Sequence, residues 1–180
     1  MRERSADLTA QTAVPVSERH ASLGFFCGKV ELDDFFARHA VDNDRRGIGK
    51  TFVLCRGTDD PALPEVLGYY TLSMASVETG GLPKKIRRGL PSYPMPVALI
   101  GRLAVDRRAQ GQHVGEALLA DALRRVLSAA GVIGCFGVIV DAKDASAEGF
   151  YAKYGFAPIG DGYPKRLFLG MKTIRAGAAP

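Results

Sequence analysis

The run Leu103-Ala104-Val105-Asp106-Arg107-Arg108-Ala109-Gln110-Gly111-Gln112-His113-Val114-Gly115-Glu116 offers the clearest chemistry in this 180-residue sequence. An apolar strand leads into a glycine-containing turn and then a helix, so successive backbone N–H groups and the positive end of the helix dipole converge where a pyrophosphate can bind. Gln110, Gly111, Gln112, His113, Val114, Gly115 and Glu116 form that cradle. The Gly-Lys-Ser/Thr ending of a P-loop is missing, and the spacing does not fit the three-glycine dinucleotide fingerprint. Taken alone, the segment is equally compatible with a glycine turn that only joins strand to helix. The neighbouring charge bears on the choice. The chain carries 24 Lys and Arg against 19 Asp and Glu, a net +5, yet residues 81–110 hold Lys84, Lys85, Arg87, Arg88, Arg102, Arg107 and Arg108 against only Asp106. Such concentrated basicity points to a polyanionic partner, a phosphorylated cofactor or a nucleic acid or both; a solvated basic face is the plain alternative.

The elements that must position these residues follow from periodicity. Leu32, Phe35, Phe36, His39 and Ala40 recur at helical spacing, so Glu31 to Gly47 reads as an amphipathic helix. Thr51–Arg56 and Val66–Val77 read as strands, Leu82–Arg88 as a short basic helix, and Val97–Val105 as a central strand approached through Pro91, Pro94 and Pro96. Arg107–Gln112 is a loop. Val114–Ala130 is a helix with Leu119, Ala122, Leu123, Val126, Leu127 and Ala130 on one stripe, and Val132–Val140 a second central strand. Asp144 caps a helix through Phe150, Tyr151 and Tyr154 that stops at Gly155, and Arg166–Met171 closes as a strand. Alternation of strand and helix from 97 to 140 implies a mixed α/β sheet flanked by helices.

With 47% hydrophobic and 24% charged residues the chain is a single globular domain over 1–180, its core about 15–172, its termini frayed and 175–180 a small-residue tail. The first twenty residues have no apolar block, and no stretch approaches the ~20 apolar residues of a membrane span, so a soluble cytoplasmic protein with no membrane partner is expected. Cys27, Cys55 and Cys135, odd in number and far apart, argue for reduced, mostly buried thiols rather than a disulfide framework or zinc cluster; no metal is implied.

The order of strand, Gln-Gly-Gln-x-x-Gly turn, helix, strand and a helix with Gly149-Phe150-Tyr151-Ala152-Lys153-Tyr154-Gly155-Phe156 resembles the GNAT superfamily of N-acetyltransferases. Within it, Phe26-Cys27-Gly28-Lys29-Val30-Glu31-Leu32-Asp33-Asp34-Phe35, Gly49-Lys50-Thr51-Phe52-Val53-Leu54, Leu67-Gly68-Tyr69-Tyr70-Thr71-Leu72 and Ile100-Gly101-Arg102-Leu103-Ala104-Val105-Asp106 are similar to the acetyltransferase toxins of bacterial toxin–antitoxin pairs. The resemblance implies a GNAT fold, a central mixed and mostly antiparallel sheet flanked by helices, with acetyl-CoA in the splay between the two central strands. It implies that pantetheine pairs with the backbone of Leu103, Ala104 and Val105 while the pyrophosphate sits on Gln110 to Glu116. One departure stands out: His113 occupies a position that is usually Gly or Ala, where a side chain either donates to phosphate, points outward, or weakens cofactor binding.

Acetyl transfer from a thioester needs a neutral amine, a donor for the carbonyl oxygen and a proton for the departing thiolate. The resemblance places the proton donor at Tyr151 and the carbonyl donor at a backbone N–H near Val105; with a phenol near ~10 and a thiol near ~8.5, Tyr151 stays protonated at neutral pH. Tyr154 reads as packing, and core aromatics are the plain alternative for both. No Glu or His presents itself as general base. A lysine amine near ~10.4 costs about 4 to 5 kcal/mol to deprotonate at pH 7, an α-amine near ~7.7 only about 1, and an aminoacyl ester less, so water suffices as base for the last. The toxin branch implies that substrate: the α-amine of aminoacyl-tRNA, whose acetylation blocks translation, with a ribbon-helix-helix antitoxin as partner and a homodimer as assembly. Lys84, Lys85, Arg87 and Arg88 would then contact tRNA phosphates, with Arg45, Arg46 and Lys50 in support, and Tyr93 either stacks on the acceptor end or is simply packed or solvated. Arg102 reads equally as the partner of an acid or as a substrate contact; His20 and His39 read as surface or helix-face residues. The rival readings are a housekeeping acetyltransferase of a protein N-terminus or ribosomal protein, and a GNAT-fold binding module without turnover.

Overall fold

The computed structural model describes residues 12–57 and 60–177. In chain order the elements are β1 (Val14–Pro15), α1 (Glu18–Ala21), α2 (Val30–Arg38), α3 (Ala40–Arg45), β2 (Lys50–Cys55), β3 (Val66–Val77), α4 (Lys84–Arg87), β4 (Met95–Val105), α5 (Val114–Ala129), β5 (Gly137–Ala142), α6 (Ala145–Lys153), β6 (Ala157–Pro158), β7 (Lys165–Gly170) and α7 (Met171–Gly177). The seven strands form one sheet in the order β1-β2-β3-β4-β5-β7-β6. The β1/β2, β2/β3, β5/β7 and β6/β7 pairs are antiparallel and β4/β5 is parallel, the mixed, mostly antiparallel α/β arrangement expected. The parallel register runs only from Ala98↔Val138 to Ile100↔Val140, so β4 continues for five residues past it.

The chain divides into two compact units, one through Leu72 with Arg102–Ala122, the other Ser73–Gly101 with the chain from Leu123 onward. The first is built on an aromatic cluster. Phe25, Phe35, Phe36 and Tyr69 pack with Ala40, Val53, Val66 and Ala104, and the Phe36 and Tyr69 rings stack at 4.7 Å. Gly68 permits a close crossing in this unit: a Cβ there would stand 2.6 Å from the Ala104 carbonyl oxygen and 2.8 Å from Leu118. A buried hydrogen bond of 2.6 Å from the Tyr70 hydroxyl to Asp121 ties β3 to α5. The second unit packs Val77, Leu82, Met95, Val97, Ile139, Ile159 and Phe168 around β5 and β7.

Four expectations need correction. The helix over 31–47 is two helices broken at His39, whose backbone (φ −123°, ψ −23°) leaves the helical region and caps both; the bend keeps Ala40 fully buried beside Phe36. The strand expected over 132–140 starts only at Gly137, where the register with β7 begins. The N–H groups of Val132 and Ile133 instead bond Ala129 O and finish α5, leaving Val132 exposed. The tail from Arg175 is helical to Gly177, because Met171 and Ile174 bury their side chains and Met171 N–H donates to Phe136 O at 3.0 Å; 178–180 and 1–11, where fraying is also expected, lie outside the described residues. Of the cysteines only Cys27 is buried, while Cys55 and Cys135 are half-buried, so "mostly buried" does not hold. Among the described residues no helix is long and apolar enough to cross a membrane, and no group of three His, Cys, Asp or Glu is placed to hold a metal.

Candidate functional site

The turn after β4 is organised by a residue that motif reading passes over. Asp106, 1% exposed, caps a single 3-10 turn over Arg107–Ala109 where only a loop is expected; its carboxylate accepts the Arg108 N–H at 3.0 Å, the Arg108 guanidinium at 3.0 and 3.2 Å, and the Phe26 N–H at 3.1 Å. Burial pushes the Asp106 pKa up, but the hydrogen bonds from Arg108 and Phe26 outweigh it and hold the carboxyl below its usual range. Its own N–H donates to Leu67 O, and the Arg107 N–H to Phe26 O. The loop 25–28 is thereby fastened to the turn. Gly28 takes part through its missing side chain: its φ is +91°, and a Cβ would meet Arg107 Nε at 2.9 Å. The Gln110 side chain completes the strap, donating to Cys27 O at 3.2 Å and Val105 O at 3.1 Å, so the part of Gln110 left for a ligand is its backbone.

Beyond it the cradle takes shape from backbone conformation. Gly111 has φ +76° and His113 φ +61°; His113 is the one non-glycine in the left-handed region among the described residues. That conformation is the physical reason a glycine is at home there, and histidine is among the side chains that tolerate it best. The imidazole turns outward, 72% exposed, with Nδ1 3.1 Å from Glu116 Oε2. The Gln112 side chain is likewise occupied, donating to Arg108 O at 3.2 Å. Val114 and Gly115 head α5, where N–H groups have no carbonyl one turn back in the helix; the Ala117 N–H, bonded to His113 O, is the first to find one. Val114, Ala117 and Leu118 are buried and fix the helix on the sheet. Leu103, Ala104 and Val105 precede the turn on β4, Ala104 buried and its neighbours half-buried.

In the second unit α6, capped by the Asp144 side chain on Ala147 N–H at 2.8 Å, carries Tyr151. Tyr151 is 8% exposed, with the rings of Phe150 and Phe156 at 5.1 and 5.3 Å. No described residue hydrogen-bonds its hydroxyl, and burial alone lifts the phenol well above its ordinary pKa, so it is fully protonated at neutral pH. Tyr154 packs on Phe150 at 5.3 Å.

The expected basic residues separate into two kinds. Lys84, Lys85, Arg87 and Arg88, on and just after α4, are exposed, and among the described residues none has an acidic partner; Arg87 only reaches Gly80 O at 3.5 Å. The segment is folded back on itself by the Thr79 hydroxyl, which donates between Pro91 O and Tyr93 O at 3.0 and 2.9 Å, leaving the Tyr93 side chain exposed. Arg45, Arg46 and Lys50 are instead held by Glu18, Asp42 and Asp44 at 2.9, 3.3 and 2.9 Å. Among the described residues no carboxylate pairs with Arg102; its guanidinium lies 3.7 Å over the Phe35 ring. His20 belongs to the capping box of α1, and His39 is exposed at the α2/α3 break. Asp106 and the 25–28 loop are what sequence reading missed; an Asp two residues before Arg108 at a strand end is a recognisable turn signal, but its bond to Phe26 spans 80 residues and has no local trace.

Residues 89–171 match the acetyltransferase (GNAT) domain. The chain is 37% identical over 161 residues to the tRNA-acetylating toxin of Mycobacterium tuberculosis, covering 89% of this chain and 92% of that protein. Among solved structures it superposes on AtaT complexed with acetyl-methionyl-tRNAfMet with a TM-score of 0.83 and 33% identity, over 93% of this chain and 99% of that one. A tyrosine-to-phenylalanine variant of AtaT bound to the C-terminus of the antitoxin AtaR and acetyl-CoA matches with a TM-score of 0.77 and 31% identity, over 94% and 98% of the two chains.

Proposed function

Because this chain belongs to the GNAT acetyltransferases, enzymes that draw on acetyl-CoA, we propose that it is a toxin acetylating the α-amine of aminoacyl-tRNA and so blocking translation. The observation that carries this reading is the near-complete match to AtaT complexed with acetyl-methionyl-tRNAfMet. The residues of the cradle fit the cosubstrate. The backbone of Gln110 to Glu116, where α5 begins and the His113 imidazole is drawn aside by Glu116, would hold the cosubstrate's pyrophosphate, and the backbone of Leu103, Ala104 and Val105 would pair with its pantetheine. Side chains that would otherwise crowd the turn, Gln110 and Gln112, are bound to backbone carbonyls.

The Val105 N–H stabilises the thioester oxygen as it gains charge, and Tyr151 supplies a hydrogen bond or proton to the departing sulfur. Its raised pKa favours hydrogen bonding over full transfer, since a phenol well above its ordinary range is a still weaker acid relative to a thiol. An aminoacyl ester is largely neutral at physiological pH, so water removes its proton. Lys84, Lys85, Arg87 and Arg88 attract the tRNA backbone, and their lack of acidic partners among the described residues favours them over Arg45, Arg46 and Lys50, whose charges are already balanced. The AtaT–AtaR relative supports an antitoxin as partner and the tRNA substrate a cytoplasmic location; a ribbon-helix-helix antitoxin and a homodimeric assembly belong to the same proposed reading.

Transfer of labelled acetyl from acetyl-CoA to a mixed pool of aminoacyl-tRNAs, beside uncharged tRNA and total cell protein, tests the proposal. Label that requires the charged tRNA is expected. Label on protein alone would replace the substrate with a protein amine, and no label anywhere would favour a binding module.

A further inference from the structure

Arg102 lies on β4 two residues before Ala104, so both side chains leave the same face of the strand, the face that meets α2 through Phe35. The guanidinium carbon is 3.7 Å from the centroid of the Phe35 ring, within cation–π range. Phe35 is itself fixed: it is buried and stacked with Tyr69 at 6.2 Å, and the Tyr69 hydroxyl donates to Leu32 O at 2.8 Å. Among the described residues no carboxylate pairs with Arg102. Asp33 on α2 accepts the Cys27 N–H at 2.7 Å through Oδ1, and its buried Oδ2 has no hydrogen-bond partner among the described residues, so its carboxylate is not paired with Arg102. A half-buried guanidinium with one face on an aromatic ring and no acid on its donor edge is arranged to take an external anion. Because the ring already holds the planar group, little further ordering is needed when the anion arrives.

The placement selects the anion. At about 3.3 Å per strand residue, Arg102 stands roughly 10 Å up the strand from Val105. On the aminoacyl-tRNA reading, on which this inference rests, the amine acetylated beside Val105 is separated from the nearest phosphodiester by one aminoacyl ester and one ribose. We infer that Arg102, stacked on Phe35, binds the phosphodiester on the 5′ side of the terminal nucleoside and thereby sets the register of the acceptor end. The exposed cations of α4 attract the polyanion at any position along it; Arg102 acts at one phosphate, as a contact that positions rather than one that merely attracts.

The test compares 3′-O-aminoacyl-adenosine with 3′-O-aminoacyl-adenosine 5′-monophosphate as acetyl acceptors, for wild type, Arg102→Gln and Arg102→Lys, with acetyl-CoA thermal shifts confirming that each variant folds. Wild type is expected to prefer the 5′-phosphorylated ester by about tenfold or more in kcat/KM, chiefly through KM, as one charge-assisted phosphate contact allows. The preference should fall to about one in Arg102→Gln and be partly kept in Arg102→Lys, which retains charge but not the planar fork. A preference unchanged in Arg102→Gln, or no preference in wild type, overturns the inference and leaves the aminoacyl-tRNA reading standing. Failure of wild type to acetylate either ester or aminoacyl-tRNA overturns both.

Discussion

Tyr151, the proposed proton donor, and Asp106, which organises the turn after β4, are perturbed by their environments in opposite senses. Burial raises the phenol of Tyr151, so its hydrogen stays in place at neutral pH, as the proposed role of donor to the departing sulfur requires. Tyr151→Phe should lower kcat by roughly a hundredfold, the lower end for loss of a proton donor, while leaving acetyl-CoA affinity nearly intact; single-turnover rates and a binding titration check this, and equal activity would remove Tyr151 from the mechanism. Asp106 is held below the ordinary carboxylate range by Arg108 and the Phe26 N–H, so the folded state binds its proton less readily than the unfolded chain does. Its contribution to stability is therefore present above the unfolded value of about 3.9 and lost as pH falls below that. Asp106→Asn should cost about 1–3 kcal/mol at pH 7, and the gap to wild type should close near pH 3 in urea unfolding curves; a gap independent of pH would mean that the carboxylate charge is not what fastens the turn.

Elements convert these local properties into surfaces. The short α4 is too brief to be stable by propensity, and it is fixed by the bonds of Thr79 across the segment and by the burial of Leu82 next to it. What it and the residue after it present is four cations with no acidic partner among the described residues. Reversal of Lys84, Lys85, Arg87 and Arg88 to Glu should weaken tRNA binding and reduce the slope of log affinity against log salt by up to about three, if each cation meets one phosphate. Reversal of Arg45, Arg46 and Lys50 should do less, since Glu18, Asp42 and Asp44 already balance them. Filter binding across a salt series decides, and an unchanged slope in the first variant would move the RNA surface elsewhere. The break at His39 and the late start of β5 are element-scale events of another kind. Helical periodicity continues through residues 31–47, and an apolar run fills 132–140, but a bend and a turn depend on what each stretch packs against, and periodicity does not contain that information.

At the scale of the whole molecule, acetyl-CoA binding to the folded state alone must raise stability by about 2.7 kcal/mol at a hundred times its Kd. His113→Gly, which relieves a left-handed backbone and removes the Glu116 pair, should change that Kd by no more than about tenfold, or about 1.4 kcal/mol, if the histidine is accommodated; a far larger gain in a thermal-shift titration would mean that the turn is impaired. The strand–turn–helix order from Leu103 to Glu116, the basic run of 81–110, the boundaries of β3 and nearly those of α5 were legible in the residues alone, because each is written in a contiguous stretch whose periodicity, glycines and charge act locally. Folding in three dimensions was needed to settle which cations lack an acidic partner among the described residues, that the Gln110 and Gln112 side chains strap the turn instead of facing a ligand, that Arg102 lies on Phe35, and that Asp106 joins the turn to Phe26. Those outcomes depend on pairs far apart in the chain, and such a pair has an energy only once folding has brought its members within a few ångströms.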